Sequence, residues 1–161
     1  MPNWCCNSLI IQHEDKTKID EFVNEYKQGR VCDHYIPLPR DAAGELISDP
    51  KAPGYWWLYA VNNWGTKWDI GSDNDEAHGR HPIVVDNQAT MSFDSAWAPP
   101  LGLYARLREL GFDVRASYWE PGMAFAGRWV NGVDSYYEGG FDAFPDDLKE
   151  EYNMDEFYNE E

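Results

Sequence analysis

Asn63-Trp64-Gly65-Thr66-Lys67-Trp68-Asp69 sets two indoles, an amide, a hydroxyl and a charge pair around one turn-forming glycine. Such a set suits a pocket for a flat polar ligand, with the rings stacked on a base and Lys67 on a phosphate. Ser95 and Trp97 lie where a strand hands over to a helix, a place where backbone N–H groups face anions. Tyr118 and Glu120 belong to a third string, Tyr118-Trp119-Glu120-Pro121-Gly122. The ligand-binding set expected from sequence is Asn63, Trp64, Thr66, Lys67, Trp68, Asp69, Ser95, Trp97, Tyr118 and Glu120. Each has an ordinary structural use as well. Both indoles at 64 and 68 can fill the core, Asn63 can cap the preceding helix, and Ser95 can cap the next. Trp97 can pack on a helix start, and Glu120 can pair with Arg115, Arg128 or Lys67. Lys67 is also the only base between Lys51 and Arg80, so a phosphate there has little help.

Catalytic and metal chemistry find less. Cys32 lies two residues from His34, on the same face of an expected strand rather than at a helix N-terminus that would activate a thiol. Adjacent Cys5 and Cys6 on a strand point to opposite faces, so with Cys32 and His34 they make a poor tetrahedral zinc set. His78 and His81 bracket Gly79-Arg80 and offer at most a weak surface metal site. No second carboxylate can be assigned opposite Glu120, and no P-loop, dinucleotide turn or serine elbow is present. No catalytic residue, resident metal or cofactor is expected, and binding is favoured over catalysis.

Charge points to the kind of partner. Lys and Arg number 13 against 29 Asp and Glu, a net charge of −16. Such a field repels phosphates and anionic membranes and attracts basic protein surfaces, so direct nucleic-acid or membrane binding is not expected. Half of that charge sits in residues 142–161, with nine acids and one lysine. Asp146, Asp147, Glu150, Glu151, Asp155 and Glu156 are the candidate partner-binding residues there. The 8 Trp, 10 Tyr and 7 Phe exceed what one core of 161 residues needs, so some rings should reach the surface. Three cysteines and a start, Met1-Pro2-Asn3-Trp4, without a signal-peptide pattern suggest the cytoplasm. No apolar run approaches the roughly 18–20 residues of a membrane span.

The elements that must position these residues follow from periodicity. Residues 4–12 read as a strand, and Ile19, Phe22, Val23 and Tyr26 mark a helix stopped by Gly29. A second strand is expected over 31–36, then a loop-rich insertion over 40–54, a short helix over 55–63 and a brief strand over 66–70. A polar loop fills 71–82. Residues 83–85 and 90–97 read as a hairpin, and Pro99-Pro100 opens a helix that carries Leu101, Tyr104, Leu107 and Leu110. Strands over 112–120, 123–130 and 133–137 follow, the last pair joined by Asn131-Gly132. Residues 146–158 form an acidic helix that packs on the body through Leu148, Tyr152 and Phe157, or orders only on a partner. One α+β domain over 1–141 with a tail over 142–161 is expected: a ferredoxin-like antiparallel sheet, two helices on one face, and an added C-terminal hairpin.

Four strings carry a resemblance: Met1-Pro2-Asn3-Trp4-Cys5 with Asn7, residues 63–69, Phe93-Asp94-Ser95-Ala96-Trp97-Ala98-Pro99-Pro100, and residues 118–122 followed by Phe125-Ala126-Gly127. Together, over roughly residues 1–130, the chain resembles the YubB-like family of phage and conjugative-plasmid proteins. That resemblance implies a ferredoxin-like domain, a mobile-element setting near genes that blunt host defences, and no catalytic residues to carry over. The acidic tail lies outside it. Resemblance and charge together suggest a counter-defence protein that occupies the basic nucleic-acid-binding surface of a host protein. The alternative is a module that sequesters a nucleotide or signal molecule in an aromatic pocket.

Overall fold

The computed structural model describes residues 3–71 and 81–159, so His78 and most of the 71–82 loop lie outside the described residues. Six strands form one sheet in the order β2-β3-β1-β4-β5-β6: β1 (Trp4–Gln12), β2 (Ile83–Val85), β3 (Gln88–Ala96), β4 (Asp113–Glu120), β5 (Phe125–Val130) and β6 (Val133–Glu138). Every neighbouring pair is antiparallel. The fold class is therefore α+β, as expected.

Strict alternation decides the two faces of the sheet. Leu9 and Ile11 of β1, Met91 and Phe93 of β3, and Val114 and Ala116 of β4 point to one face and belong to the main core. Against them pack α1 (Lys16–Lys27), α2 (Val31–Tyr35), α3 (Trp56–Asn63) and α4 (Leu101–Glu109), chiefly through Ile19, Phe22, Cys32, Ala60, Leu103 and Leu107. Asp15 caps α1 by accepting the Thr17 N–H at 2.9 Å, and Gly29 turns the chain out of it at φ 71°.

Two local expectations need correction. Residues 31–35 are the helix α2, not a strand: Val31, Cys32 and Tyr35 are the buried set, a spacing that fits one helical face. Residues 66–70 form no strand; Gly65, at φ 91°, starts a turn whose polar groups bond to other segments instead of a ladder. Among the described residues, the chain between β1 and β2 consequently holds three helices and no strand.

The opposite face carries α5 (Asp146–Glu151) and α6 (Met154–Asn159), which cover β4 and β5. Instead of one helix, residues 146–158 break at Tyr152-Asn153, where Asn153 adopts φ 52°. Phe144, Leu148 and Met154 are buried there with Trp119 and Ala126 in a second core. Helices thus lie on both faces, where a single helical layer was expected.

Candidate functional site

Most of the 63–69 string is committed to backbone partners. The Trp64 indole N–H donates to the Ile36 carbonyl at 2.8 Å, and buried Thr66 donates its hydroxyl to Ala96 at 2.9 Å. Asn63 donates its amide to the Tyr59 carbonyl at 2.9 Å. The Asp69 carboxylate accepts the backbone N–H groups of Cys32 at 2.8 Å, Asp33 at 2.9 Å and Ile70 at 2.9 Å. Burial raises its pKa, and these N–H bonds oppose the shift.

Lys67, Trp68 and Trp97 do come together. The Lys67 ammonium lies 4.7 Å from the Trp68 ring and 4.8 Å from the Trp97 ring, a cation held between two indoles. Trp4 extends the row at 5.9 Å from Trp68, and Trp57 meets Trp97 edge-on at 6.0 Å. Trp68 and Trp97 remain 40% and 38% exposed, so this is a surface of rings and not a core. Trp97 adopts φ 75°, a costly conformation for a bulky residue, with its N–H donated to the Asn3 carbonyl at 2.8 Å. Lys67 already fills the space a stacked base would take.

The other expected residues lie apart. Ser95 donates to the Ala98 carbonyl at 2.7 Å and accepts from the Asn7 amide at 2.8 Å, fastening the β3–α4 connection. Glu120 forms no ion pair with Arg115, Arg128 or Lys67; it is buried and accepts the N–H groups of Gly122 at 2.6 Å and Met123 at 2.8 Å, holding the β4–β5 turn. The Tyr118 hydroxyl donates to Asp134 at 2.6 Å, and burial followed by this carboxylate raises its pKa. Tyr118 also lines an apolar groove of about 280 Å³ with Pro99, Phe125 and Tyr136.

The acids of α5 and α6 divide by orientation. Arg128 of β5 bonds Asp147 at 2.7 Å and reaches Glu151 at 3.3 Å, fixing α5 to the sheet. The Arg128 bond lowers the Asp147 pKa. Lys149, the segment's one base, turns inward over the Phe141 ring at 4.2 Å. Asp146, Glu150, Asp155 and Glu156 are exposed.

A site not anticipated from sequence lies on the face that carries α5 and α6. Strand register places Asp94, Cys6 and Trp119 in one row across β3, β1 and β4, with Ser92 and Ser8 in the next. Over this floor the α5–α6 turn sets Glu151, Tyr152 and Asn153, enclosing a cavity of about 390 Å³. The sequence signal was only small polar residues alternating with core positions.

Burial raises the pKa values of both Cys5 and Cys32 well above the usual, which leaves those two thiols poor nucleophiles. His34, now on a helix, faces Glu21 at 3.4 Å and Glu25 at 3.7 Å. Among the described residues no three His, Cys, Asp or Glu side chains group to hold a metal ion, and no helix is long and apolar enough to cross a membrane. No family model, curated protein or solved structure matches the chain.

Proposed function

We propose that this chain is a non-catalytic binding protein, a ferredoxin-like domain of a mobile element acting against host defence, which occupies the basic nucleic-acid-binding surface of a partner protein. The observation that carries this reading is the sorting of charge on the docked helices. Arg128 and Lys149 face inward while Asp146, Glu150, Asp155 and Glu156 face solvent, so the outer surface of α5 and α6 presents carboxylates in a packed arrangement. A rigid acidic surface loses less conformational entropy on association than a mobile tail does, and its field raises the encounter rate with a basic surface. Nucleotide capture by the 63–69 set has less support, because Trp64, Thr66 and Asp69 are occupied by backbone partners and Lys67 by two rings.

The test is capture from a bacterial lysate at low and high salt, then competition of the captured protein with its nucleic acid. The triple variant Glu150→Gln, Asp155→Asn, Glu156→Gln should bind about tenfold or more weakly at low salt. Partner binding that survives both high salt and this neutralisation would overturn the reading.

A further inference from the structure

We propose that the cavity between the sheet and the α5–α6 turn binds a small amino-substituted heterocycle, of the nucleobase or nucleoside class and without a phosphate. The inference goes beyond the acidic-surface reading and does not depend on it. At about 390 Å³ the cavity falls in the range of small-molecule sites. Its floor and roof come from different parts of the chain, Cys6, Asp94 and Trp119 below and Glu151, Tyr152 and Asn153 above.

The chemistry of the walls selects the ligand. Trp119 is only 6% exposed, yet its indole N–H, buried with the ring that forms the aromatic wall, has no acceptor among the described residues. A buried donor of this kind calls for an acceptor from water or a ligand. Tyr152 sets a second ring 6.0 Å from Trp119, tilted by 49°, and is held there by the 2.9 Å contact of its hydroxyl with Ser117. Against such an aromatic wall a flat, polarisable molecule gains more than an aliphatic one.

Glu151 already accepts from Arg128 at 3.3 Å, and because the carboxylates of Asp94 and Glu151 accept hydrogen bonds but donate none, a ligand that brings N–H groups suits their remaining lone pairs. A heterocycle carrying a ring acceptor and an exocyclic amino group meets both demands at once. A phosphate does not fit this wall: Arg128 is already paired with Asp147 and Glu151, and the remaining charge is negative.

The test uses the full chain, titrated calorimetrically with adenosine, guanosine, cytidine and uridine and with their monophosphates. Maleimide labelling of Cys6, which lines the cavity, serves as a footprint. The expected result is that at least one amino-bearing nucleoside binds and slows Cys6 labelling several-fold, with uridine and the matching monophosphate weaker by about tenfold, the cost of one unmatched polar contact. Trp119→Phe, which keeps a ring and removes the N–H, should weaken that nucleoside by about tenfold, and Asp94→Asn, a change of charge without volume, should do the same. Circular dichroism of each variant separates lost binding from lost folding. The proposal is overturned if no nucleoside protects Cys6 at millimolar concentration, if the monophosphate binds as well as its nucleoside, or if both folded variants bind unchanged.

Discussion

The carboxylate of Asp69 accepts the backbone N–H of Cys32 at 2.8 Å, so a residue 37 positions away caps the first turn of α2. Burial at this position raises the Asp69 pKa from the ordinary 3.8, and the capping N–H bonds hold that rise back.

Removing that cap should destabilise the protein. Asp69→Ala is expected to cost about 1–2 kcal/mol. In urea titrations this should lower the midpoint and leave the slope unchanged; an unshifted midpoint would show that α2 holds without its cap.

The same residue sets a pH dependence. An acid whose folded pKa is raised keeps its proton longer in the native state, so native protein binds more protons than unfolded protein between 3.8 and the raised value. Stability from this group therefore falls as pH rises through that window. Asp69→Asn, neutral throughout, lacks the effect, and its stability relative to the parent should climb from pH 4 upward. A constant difference would contradict the raised pKa.

The C-terminal helices should behave as part of the body. Leu148 is fully buried in the second core, and Leu148→Ala should cost about 2–4 kcal/mol or release α5 and α6. Hydrogen exchange over 146–158 and the fluorescence of Trp119 would report either result, and neither would change if the segment were a loosely attached tail.

Gly102 lies where α4 starts against the end of α3. A Cβ there would sit 1.9 Å from the Asn63 carbonyl oxygen, a backbone atom with little room to retreat, and the Gly102 N–H donates to the Trp64 carbonyl at 2.9 Å. Gly102→Ala should destabilise by at least about 2 kcal/mol in thermal unfolding. A neutral result would mean that α4 slides along α3 without loss.

Thiol reactivity follows burial. Cys5 and Cys32 are buried with raised pKa values and should resist maleimide in the native protein, whereas half-buried Cys6 reacts first. Mass spectrometry after timed labelling gives the order directly.

Much of the sheet was legible because β1, β3 and β4 each bury one face along their whole length. Alternation located β1, β3 and β4, and Asn131-Gly132 located the β5–β6 hairpin. Helix α2 was not legible, because Val-Cys-Asp-His-Tyr has no strong local preference and the deciding partner, Asp69, lies far along the chain. In the 66–70 string Thr66 and Ile70 are buried but Trp68 between them is exposed, which a strand would not produce because it sets all three on one face; turns and side-chain bonds decide burial here.

The candidate sites show the same division. That aromatic residues gather at the surface followed from their number, but which indole is buried depends on distant carbonyls, as Ile36 decides for Trp64. The cavity left no local mark, since Ser8, Ser92 and Asp94 look like the solvent side of half-buried strands. Its roof comes from α5 and α6, whose acidic sequence fits a docked helix and a mobile tail alike.

The central place of β1 bears on how the protein is made. Its partners are β3 and β4, with Trp4 opposite Ala96 and Cys6 opposite Trp119, so among the six strands the first to be made waits for partners from far along the chain. At about 5–20 residues per second, Leu9, Ile10 and Ile11 wait roughly 4–16 seconds for their partners in β3. During that interval the nascent chain carries an unpaired apolar strand, and its yield in a cell should depend on synthesis rate and on chaperones that cover such strands.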